Sequence, residues 1–505
     1  MLLKNLVKCI GITLENEIEV ENISVNSKNV KSNGLFICII GLHNDSHDFI
    51  DEAVRNGAVA VVIQHGSKTK LIDGVIYLEV ENTRQAAAYL FSEWYGNPAS
   101  SMKIIAVTGT NGKTTVVQML RVIFSAAGYR CASIGTLGCR GLDNFKYIAS
   151  ENLLANMTTP DPEYLYAILH ELAEQKIEFV FMEASSHSLS LCKLDAIVFD
   201  LAIFTNLTEE HLDFHETIEN YFMAKAKLFE MCKNALVNED SKYSVRIIRK
   251  LTCPYKTCST KGYTGYYKAI DIRNLGTRGV EYMLSSPNAI FRVKSHIPGI
   301  FTVINSLQAA ACAIEYKIPP AVIQDSLSSL YGVCGRSERV KLDNTADFSV
   351  FIDYAHTPDA LFNLLCSAKE LQKEKGRIVL LFGCGGDRDK SKRAVMGSIA
   401  SKNCDFFVIT SDNSRTENLS EIINGILDGI DKDSNFIVIE DRKKAIEYLI
   451  ENARKNDIIM LAGKGHENYQ IDKDGRHYFS EREIVMEAFR KRKDTKQTGE
   501  IKNEN

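Results

Sequence analysis

Apolar residues along the chain gather into short continuous runs separated by longer amphipathic stretches, the pattern of buried strands alternating with helices. Near the N-terminus, Ile18 to Ser27 reads as a short strand region. Leu35 to Ile40 reads as a buried strand, Phe49 to Ala58 as a helix and Val59 to Ile63 as a further strand, with Gly57 at the helix C-terminus. An amphipathic helix over Thr83 to Tyr95 is broken by Gly96-Asn97-Pro98, which places a domain boundary there. The next run, Ile104 to Val107, enters Thr108-Gly109-Thr110-Asn111-Gly112-Lys113-Thr114-Thr115. Val116, Val117, Met119, Leu120, Val122 and Ile123 follow at helical spacing, so this stretch is strand, loop, helix. Phe179 to Met182 and Phe199 to Phe204 are further buried strands, and Tyr221, Ala224 and Leu228 share one helical face. Beyond Gly335 the alternation is clean. Strands are expected at Val350–Ile352, Ile378–Phe382, Phe406–Ile409, Phe436–Ile439 and Ile458–Leu461. The helix between the first two has Thr357 as cap, Pro358 at its first position, and Leu361, Leu364, Leu365, Ala368 and Leu371 on one face. Leu419, Ile422, Ile423 and Ile426 mark a later helix. Arg490 to Asn505 is charged and lacks apolar period, which predicts a disordered tail over 491–505.

Length and composition narrow this picture. A chain of 505 residues exceeds one ordinary core, so three domains are expected: 1–98, 99–336 and 337–490. Hydrophobic content of 45%, charged content of 25% and a formal net charge of −4 describe an ordinary globular chain and give no reason to expect nucleic-acid binding. No apolar run approaches the ~18–20 residues of a transmembrane helix, so membrane insertion is not expected. The 13 cysteines contain no Cys-x-x-Cys pair, and Cys38, Cys312 and Cys404 lie inside apolar runs as small core residues; a reducing cytoplasm fits this usage.

The candidate chemistry lies at strand ends. A glycine-bracketed loop before a helix N-terminus can wrap backbone N–H groups around phosphates, with Lys113 on the terminal phosphates and the Thr114 hydroxyl within reach of Mg2+. The general P-loop pattern has four residues between its glycine and Gly-Lys, and here only Thr110 and Asn111 intervene. The strand ending at Met182 leads into Glu183-Ala184-Ser185-Ser186-His187, and the one ending at Phe204 into a loop carrying His211 and His215. In parallel sheets ligands gather beyond the carboxyl ends of strands, so Glu183 and His211 form a candidate pair of Mg2+ ligands. Taken singly, Glu183 reads equally as a helix cap and His211 as a core histidine. Lys225 flanks a buried face and by its chemistry alone reads as a snorkelling surface residue. The polar turns Asn26-Ser27-Lys28 and Gly41 to His47 read, on chemistry alone, as solvated loops. In the final third nearly every strand end is polar, and Arg388 and Arg415 suit bidentate capture of a carboxylate; the alternative is that they pair with Asp387 and Asp412 and brace loops.

Taken in order, these motifs resemble the Mur ligase family, and within it the enzymes that add the third residue of the peptidoglycan stem peptide. The resemblance rests on Thr108 to Thr115, Thr158-Thr159-Pro160-Asp161, Glu183 to His187, Thr205 to Thr208, His211 to His215, Asp353 to Asp359, Gly383 to Arg388 and Gly463 to Glu467, and spans residues 20–485. It accounts for the short phosphate loop, which is the family's own form. It implies an α/β fold of a small N-terminal UDP-binding domain, a central P-loop ATPase-like domain and a C-terminal Rossmann-like doubly wound domain. The implied cofactors are ATP and Mg2+, and the implied partners a UDP-N-acetylmuramoyl dipeptide and a diamino acid. A cytoplasmic monomer is expected.

The implied roles follow residue by residue. Gly109, Thr110, Asn111, Gly112, Lys113, Thr114, Thr115, Asn305, Arg336 and Asp353 would bind ATP. Thr114, Glu183, His211 and a carbamylated Lys225 would hold metal, with Lys113, Glu183, His211 and Lys225 as the catalytic set. Val25, Ser27, His43, Thr158, Thr159, Ser185 and Lys193 would contact the UDP-sugar peptide. Arg388, Asp412, Asn413, Ser414, Arg415, Gly463 and Glu467 would select the amino acid. This chain departs from its relatives in having Asn26 and Lys28 for aspartate and arginine, Ser46 for glycine, Lys193 for arginine and Ser414 for proline. Arg415 points to meso-diaminopimelate, and Ser414 leaves L-lysine and L-ornithine open. Two other readings compete: a folylpolyglutamate synthetase, opposed by the N-terminal domain and Asp412 to Arg415, and a non-catalytic nucleotide-binding paralogue, opposed by the intact Lys113, Glu183, His211 and Lys225.

Overall fold

The computed structural model describes residues 1–41, 44–141, 158–262, 265–343, 345–372 and 376–503. The chain divides into two compact units, Met1–Tyr267 with Gln308–Pro319 and Lys268–Leu307 with Pro320–Asn505. Among the described residues no helix is long and apolar enough to cross a membrane.

The first unit holds two sheets. The smaller has four parallel strands in the order Asn22–Ser24, Gly34–Ile37, Ala58–Gln64 and Ile76–Val80. In the larger, the strands of this unit run in the order Tyr255–Ser259, Ala235–Asn238, Leu201–Phe204, Lys103–Thr108, Phe179–Glu183, Cys131–Gly135 and Gly138–Arg140. All pair in parallel except the last, which is a short antiparallel return. Lys103–Thr108 is central. The chain leaves it toward one side of the sheet through Cys131–Gly135 and returns to the other side through Leu201–Phe204. The strand order therefore reverses at this strand, and such a reversal opens a crevice at the carboxyl ends.

One apolar core joins the two sheets of this unit, running from Leu3, Leu35 and Val62 through Phe91 to Ile104 and Met182. The expected break at Pro98 thus falls inside a compact unit, where a 3-10 turn, Pro98–Ser101, feeds the central strand directly. The helix Lys113–Ala126 buries Val116, Val117, Met119, Leu120 and Ile123 of the stripe its sequence spacing predicts; Val122 is half-buried, and Phe124, outside that stripe, is buried as well. Phe124 packs at ring-centroid distances of 4.7 Å from Phe179, 5.0 Å from Phe181 and 5.6 Å from Tyr316.

In the second unit the strands ending at Asn274, Ser286 and Ser295 form an antiparallel meander. A six-stranded sheet follows, in the order Glu338–Arg339, Ser349–Asp353, Ile458–Ala462, Ile378–Phe382, Phe406–Ile409 and Phe436–Val438. All but the first strand are parallel. Separate apolar clusters cover its two faces, one around Leu365, Met396 and Ile426, the other around Ile446, Leu449 and Val485. This is the doubly wound arrangement expected. Two features depart from the sequence expectation. A β-hairpin, Tyr469–Asp472 with Gly475–Tyr478, interrupts the alternation. The final helix runs Glu481–Asn503, through most of the stretch expected to be disordered. Val485, Ala488 and Phe489 anchor it to the sheet, and Arg492 donates to the carbonyls of Ile450 and Ala453 at 2.6 and 2.8 Å, which carries the helix past its last apolar contact.

Phe124 is fully buried against the rings of Tyr129, Phe179, Phe181 and Tyr316, so Phe124→Ala is expected to cost ~3–5 kcal/mol. Urea unfolding followed by near-UV circular dichroism should show the first unit's transition moving to lower urea, with a midpoint shift that multiplied by the m-value returns that loss.

Candidate active site

The loop after the central strand closes on itself. Gly109 has φ 150° and Gly112 φ 88°, and Gly112 occupies the N-cap position of the helix Lys113–Ala126, which no side chain caps. Left-handed backbone at Gly112 favours glycine and leaves the helix N-terminus open to an anion. A methyl group on Gly109 would strike Thr205 Oγ1 at 1.9 Å, so the loop lies hard against the next strand end. The two are laced together: Asn111 N donates to Asn206 Oδ1 at 2.9 Å, Thr205 Oγ1 to Asn111 O at 2.6 Å, and Thr208 N to Thr110 Oγ1 at 2.9 Å.

Two ammonium groups meet at one carbonyl. Lys113 Nζ donates to Gly109 O and Thr110 O, both at 2.9 Å, and Lys225 Nζ donates to Gly109 O at 2.8 Å. Lys225 projects from the helix Ile218–Ala226 and is only 1% exposed, so the snorkelling surface lysine read from its chemistry alone is corrected to a buried group. The error arose because the lysine reaches inward over the Tyr221 ring, 4.4 Å from its centroid. Burial pushes the Lys225 amine well below its ordinary value, and the charge of Lys113 adds to the push, against the opposing pull of Glu210. Burial and the neighbouring ammonium thus both favour the uncharged form of this amine. Lys227 is half-buried and paired with Asp195 at 2.7 Å.

Glu183 ends the neighbouring strand and is 1% exposed. It accepts from Thr114 Oγ1 at 2.9 Å, Thr136 N at 2.9 Å and Thr136 Oγ1 at 3.1 Å. It does not cap the next helix; Ser185 does, accepting from Ser188 N. A methyl group on Gly135 would meet Glu183 Oε1 at 2.2 Å, so that glycine makes room for the carboxylate. His211 is exposed and left-handed at φ 57°, not a core histidine, and its ring lies 5.0 Å from that of His187 and 6.2 Å from Tyr221. Tyr221 in turn bonds Thr110 Oγ1 at 3.1 Å. Thr159 Oγ1 donates to the Glu183 carbonyl at 2.8 Å and contacts Ser185 Oγ at 3.4 Å; Thr158 Oγ1 lies 3.3 Å from Thr136 Oγ1. Lys113, Thr114, Thr158, Thr159, Glu183, Ser185 and Lys225 are thus brought together around one crevice, with His211 on its rim.

The donor set fits a hard cation in part. The Thr114 hydroxyl and Glu183 carboxylate are oxygen ligands of the kind Mg2+ takes. Among the described residues no group of three or more His, Cys, Asp or Glu converges as a metal site. Further anionic oxygen would have to come from outside the standard side chains.

The residues expected to meet a sugar peptide are spread more widely. Lys193 pairs with Asp161 at 2.6 Å, in the loop that carries Thr158 and Thr159. Ser27 is buried and bonds Glu52 Oε2 at 2.5 Å, Val25 is half-buried, and Ser24 Oγ donates to Glu163 at 3.4 Å. His43 lies outside the described residues.

In the second unit, strand ends gather a different chemistry. Asp412 and Lys464 are buried and 3.4 Å apart; Lys464 also donates to Asn413 Oδ1 and the Tyr469 carbonyl at 2.9 Å each. Asn413 Nδ2 donates to Glu467 Oε2 at 2.8 Å. Burial alone would raise the Asp412 carboxyl, but Lys464 and Arg442 hold it below the ordinary carboxylate value. Glu467 moves the other way, burial raising it despite Lys464. Gly463, φ 115°, lies where a methyl group would meet Asp412 Oδ2 at 2.8 Å. Arg415, left-handed at φ 52°, donates through Nη1 to the carbonyl of Gly386 at 2.7 Å. Arg388 is exposed and joins no ion pair among the described residues. Arg415 Nη1 and Arg388 Cγ would lie 3.1 and 3.8 Å from a methyl group on Gly385, so the two arginines flank one glycine. Neither braces its loop in the manner considered from sequence: Asp387 accepts from Thr416, and Asp412 is held by Lys464. Ser414 closes over Gly386, whose added methyl group would meet its carbonyl at 2.0 Å.

Asp353 ends its strand and accepts from Ser337 N at 2.6 Å and Ala355 N at 2.9 Å. Burial raises its carboxyl, and the nearby Arg336 lowers it in part. Arg336 lies 5.3 Å from the Tyr354 ring centroid, and Asn305 is buried on the helix Phe301–Glu315.

Three supporting residues were not selected from sequence. Arg442 is 1% exposed; it pairs with Glu481 at 2.8 Å and donates to the carbonyls of Ser411 and Ala462 at 3.2 and 2.8 Å, fixing two strand ends. Gln470 on the hairpin donates to Ser411 Oγ at 2.9 Å and the Asp412 carbonyl at 3.2 Å. Lys464 was visible only as part of a motif.

Known proteins carry the same pattern. Residues 107–313 match the Mur ligase middle domain and residues 335–465 the Mur ligase glutamate ligase domain. The chain is 41% identical to UDP-N-acetylmuramoyl-L-alanyl-D-glutamate–2,6-diaminopimelate ligase 1 of Clostridium acetobutylicum, over 93% of this chain and 95% of that protein. It is 38% identical to the ligase of that name from Clostridium tetani, over 96% of this chain and 99% of that one. A solved structure of a UDP-N-acetylmuramoyl-L-alanyl-D-glutamate–2,6-diaminopimelate ligase superposes with a TM-score of 0.69 at 31% identity, covering 97% of this chain and 99% of its own.

Removing one partner of the buried Arg442–Glu481 pair leaves a charge uncompensated. Arg442→Met is expected to cost about 3–5 kcal/mol, and the double change Arg442→Met with Glu481→Met much less. Chemical denaturation of the two variants measures the difference; equal losses would contradict the pairing.

Proposed function

The chain belongs to the Mur ligase family, and from that premise we propose that it joins meso-diaminopimelate to the D-glutamyl residue of UDP-N-acetylmuramoyl-L-alanyl-D-glutamate at the expense of ATP, a step of peptidoglycan synthesis. The observation that carries this reading is the meeting of Lys113 and Lys225 at the Gly109 carbonyl, beside the Thr114–Glu183 pair. In the proposed reaction the terminal carboxylate of the sugar dipeptide attacks the γ-phosphorus of ATP, giving an acyl phosphate and ADP. The amine of the diamino acid then attacks the acyl carbon, and phosphate leaves.

Lys113 and the open helix N-terminus neutralise charge on the transferring phosphoryl group. Lys225, kept neutral by burial and by Lys113, attacks carbon dioxide through its lone pair, loses a proton and becomes an anionic carbamate. That carbamate supplies the oxygen donors missing from the Thr114, Glu183 and His211 set. Mg2+ held there would supply Lewis-acid stabilisation of phosphate charge. Thr158, Thr159, Ser185 and Lys193 orient the sugar peptide, assisted by Val25 and Ser27 and, by family resemblance, His43. Asn305, Arg336 and Asp353 hold the nucleoside. Arg388 and Arg415, flanking Gly385, suit the distal carboxylate of meso-diaminopimelate, a group that L-lysine and L-ornithine lack. Asp412 and Glu467 suit its ammonium, with Asn413, Ser414 and Gly463 shaping the pocket.

The test is incubation with ATP, the UDP-dipeptide and each diamino acid separately. Product is expected with meso-diaminopimelate, and Arg415→Ala should lower kcat/KM for it by at least tenfold; equal use of L-lysine by the unaltered enzyme would overturn the assignment. Lys113→Ala should abolish ADP release that depends on the sugar peptide. For Lys225, intact-mass analysis in bicarbonate should show one added carboxyl group, absent from Lys225→Ala.

A further inference from the structure

The second unit carries a cavity of about 230 Å3 that the proposed reaction does not use, lined by Leu275, Arg278, Lys294, His296, Tyr331 and Arg339. Three lining residues are permanent cations, one is histidine, and none is acidic; Arg278, Lys294 and Tyr331 are exposed, and Arg339 is half-buried. His296 and Tyr331 stack face to face, 4.6 Å between centroids and 1° between planes, and Lys341 Nζ reaches 5.6 Å from the Tyr331 ring. The cavity lies toward the Ser349 end of the strand Ser349–Asp353, away from the Asp353 end assigned to nucleotide. Arg339 marks that end, donating to Ser349 Oγ at 3.4 Å and to the Thr277 carbonyl at 3.1 Å.

The charges are unbalanced. Among the described residues, Arg278, Lys294, Arg339 and Lys341 form no ion pair, whereas other arginines of the same meander are paired, Arg273 with Asp271 at 3.0 Å and Arg292 with Asp271 and Glu281. Glu281 stands opposite Lys294 in the strand register but is engaged by Arg292. Burial presses the Arg339 guanidinium below its ordinary value, the signature of a cation withdrawn from water without a counter-charge. A fork of N–H donors in such surroundings selects phosphate oxygens. The volume, below the ~300–1,000 Å3 of drug-sized sites, suits a short anion, and an adjoining cavity of about 430 Å3 that shares Leu275, Arg278 and Arg339 continues past Asp347 and Asp457.

We propose that this cavity is a second anion site that binds a phosphate or pyrophosphate group, either as the free anion or as the phosphate of a nucleotide, between Arg278, Lys294 and Arg339. The test uses the full chain carrying Lys113→Ala, which disables the phosphate loop of the first unit, at fixed ionic strength without magnesium. Calorimetric titration with inorganic pyrophosphate is expected to show binding that Arg278→Gln with Lys294→Gln weakens at least tenfold, and that Arg339→Lys weakens as well. A parallel titration with AMP separates the sources: pyrophosphate alone binding marks a free-anion site, and binding of both marks a nucleotide phosphate site. No uptake by the parent chain, or equal uptake by parent and Arg278→Gln/Lys294→Gln chains, overturns the proposal.

Discussion

The carbonyl of Gly109 is the point on which the first unit turns. It accepts from both Lys113 and Lys225, so two cationic side chains compete for one small region of negative potential. Lys113 stands at a half-exposed helix N-terminus and is hydrated in part, whereas Lys225 is fully enclosed. Desolvation and Coulomb repulsion therefore act on the same member of the pair, and both disfavour the charged form of the buried amine. The glycines fix this geometry. A side chain at position 109 would drive the loop from Thr205, and one at 135 would displace the Glu183 carboxylate from Thr114 and Thr136.

The second unit solves a different problem. Its sheet ends in side chains that are both charged and buried, and each charge is answered: Lys464 by Asp412, Asn413 and Glu467, and Arg442 by Glu481 and two carbonyls. Isolated buried charges are costly, and satisfied networks hold a single arrangement. Arg388 and Arg415 find no carboxylate partner in this network: Arg388 is exposed, and Arg415 donates only to the carbonyls of Gly386, Asn413 and Ile471.

Much of this was legible in the chain. Parallel strands read as apolar runs because both faces of the sheet are covered, and the strand–loop–helix at Ile104 to Ile123 was visible from its periodicity. Glu183 was found because it terminates such a run. Lys225 was not legible from chemistry, since helical spacing gives the side of a helix but not whether a flexible stem bends inward over an aromatic ring. Arg442, Gln470 and the hairpin were missed for a related reason: their partners lie tens of residues away, and no local pattern encodes them. The terminal helix escaped because charged residues without apolar period say little once a helix is already anchored upstream.

The hairpin bears on the absence of proline at position 414. Gln470 holds the Ser411 hydroxyl and the Asp412 carbonyl, Ile471 N donates to Asn413 Oδ1 at 2.9 Å, and the Ile471 carbonyl accepts from Arg415 N at 3.2 Å. A proline restricts a loop by narrowing its torsions in every state of the chain, folded or not. Here the restriction comes from a neighbouring ribbon and exists only after folding. The ordering entropy of the loop is then met during folding, the condition under which a loop is preorganised for any ligand it meets. The order of this loop would therefore change through substitutions in the ribbon as readily as through substitutions in the loop itself.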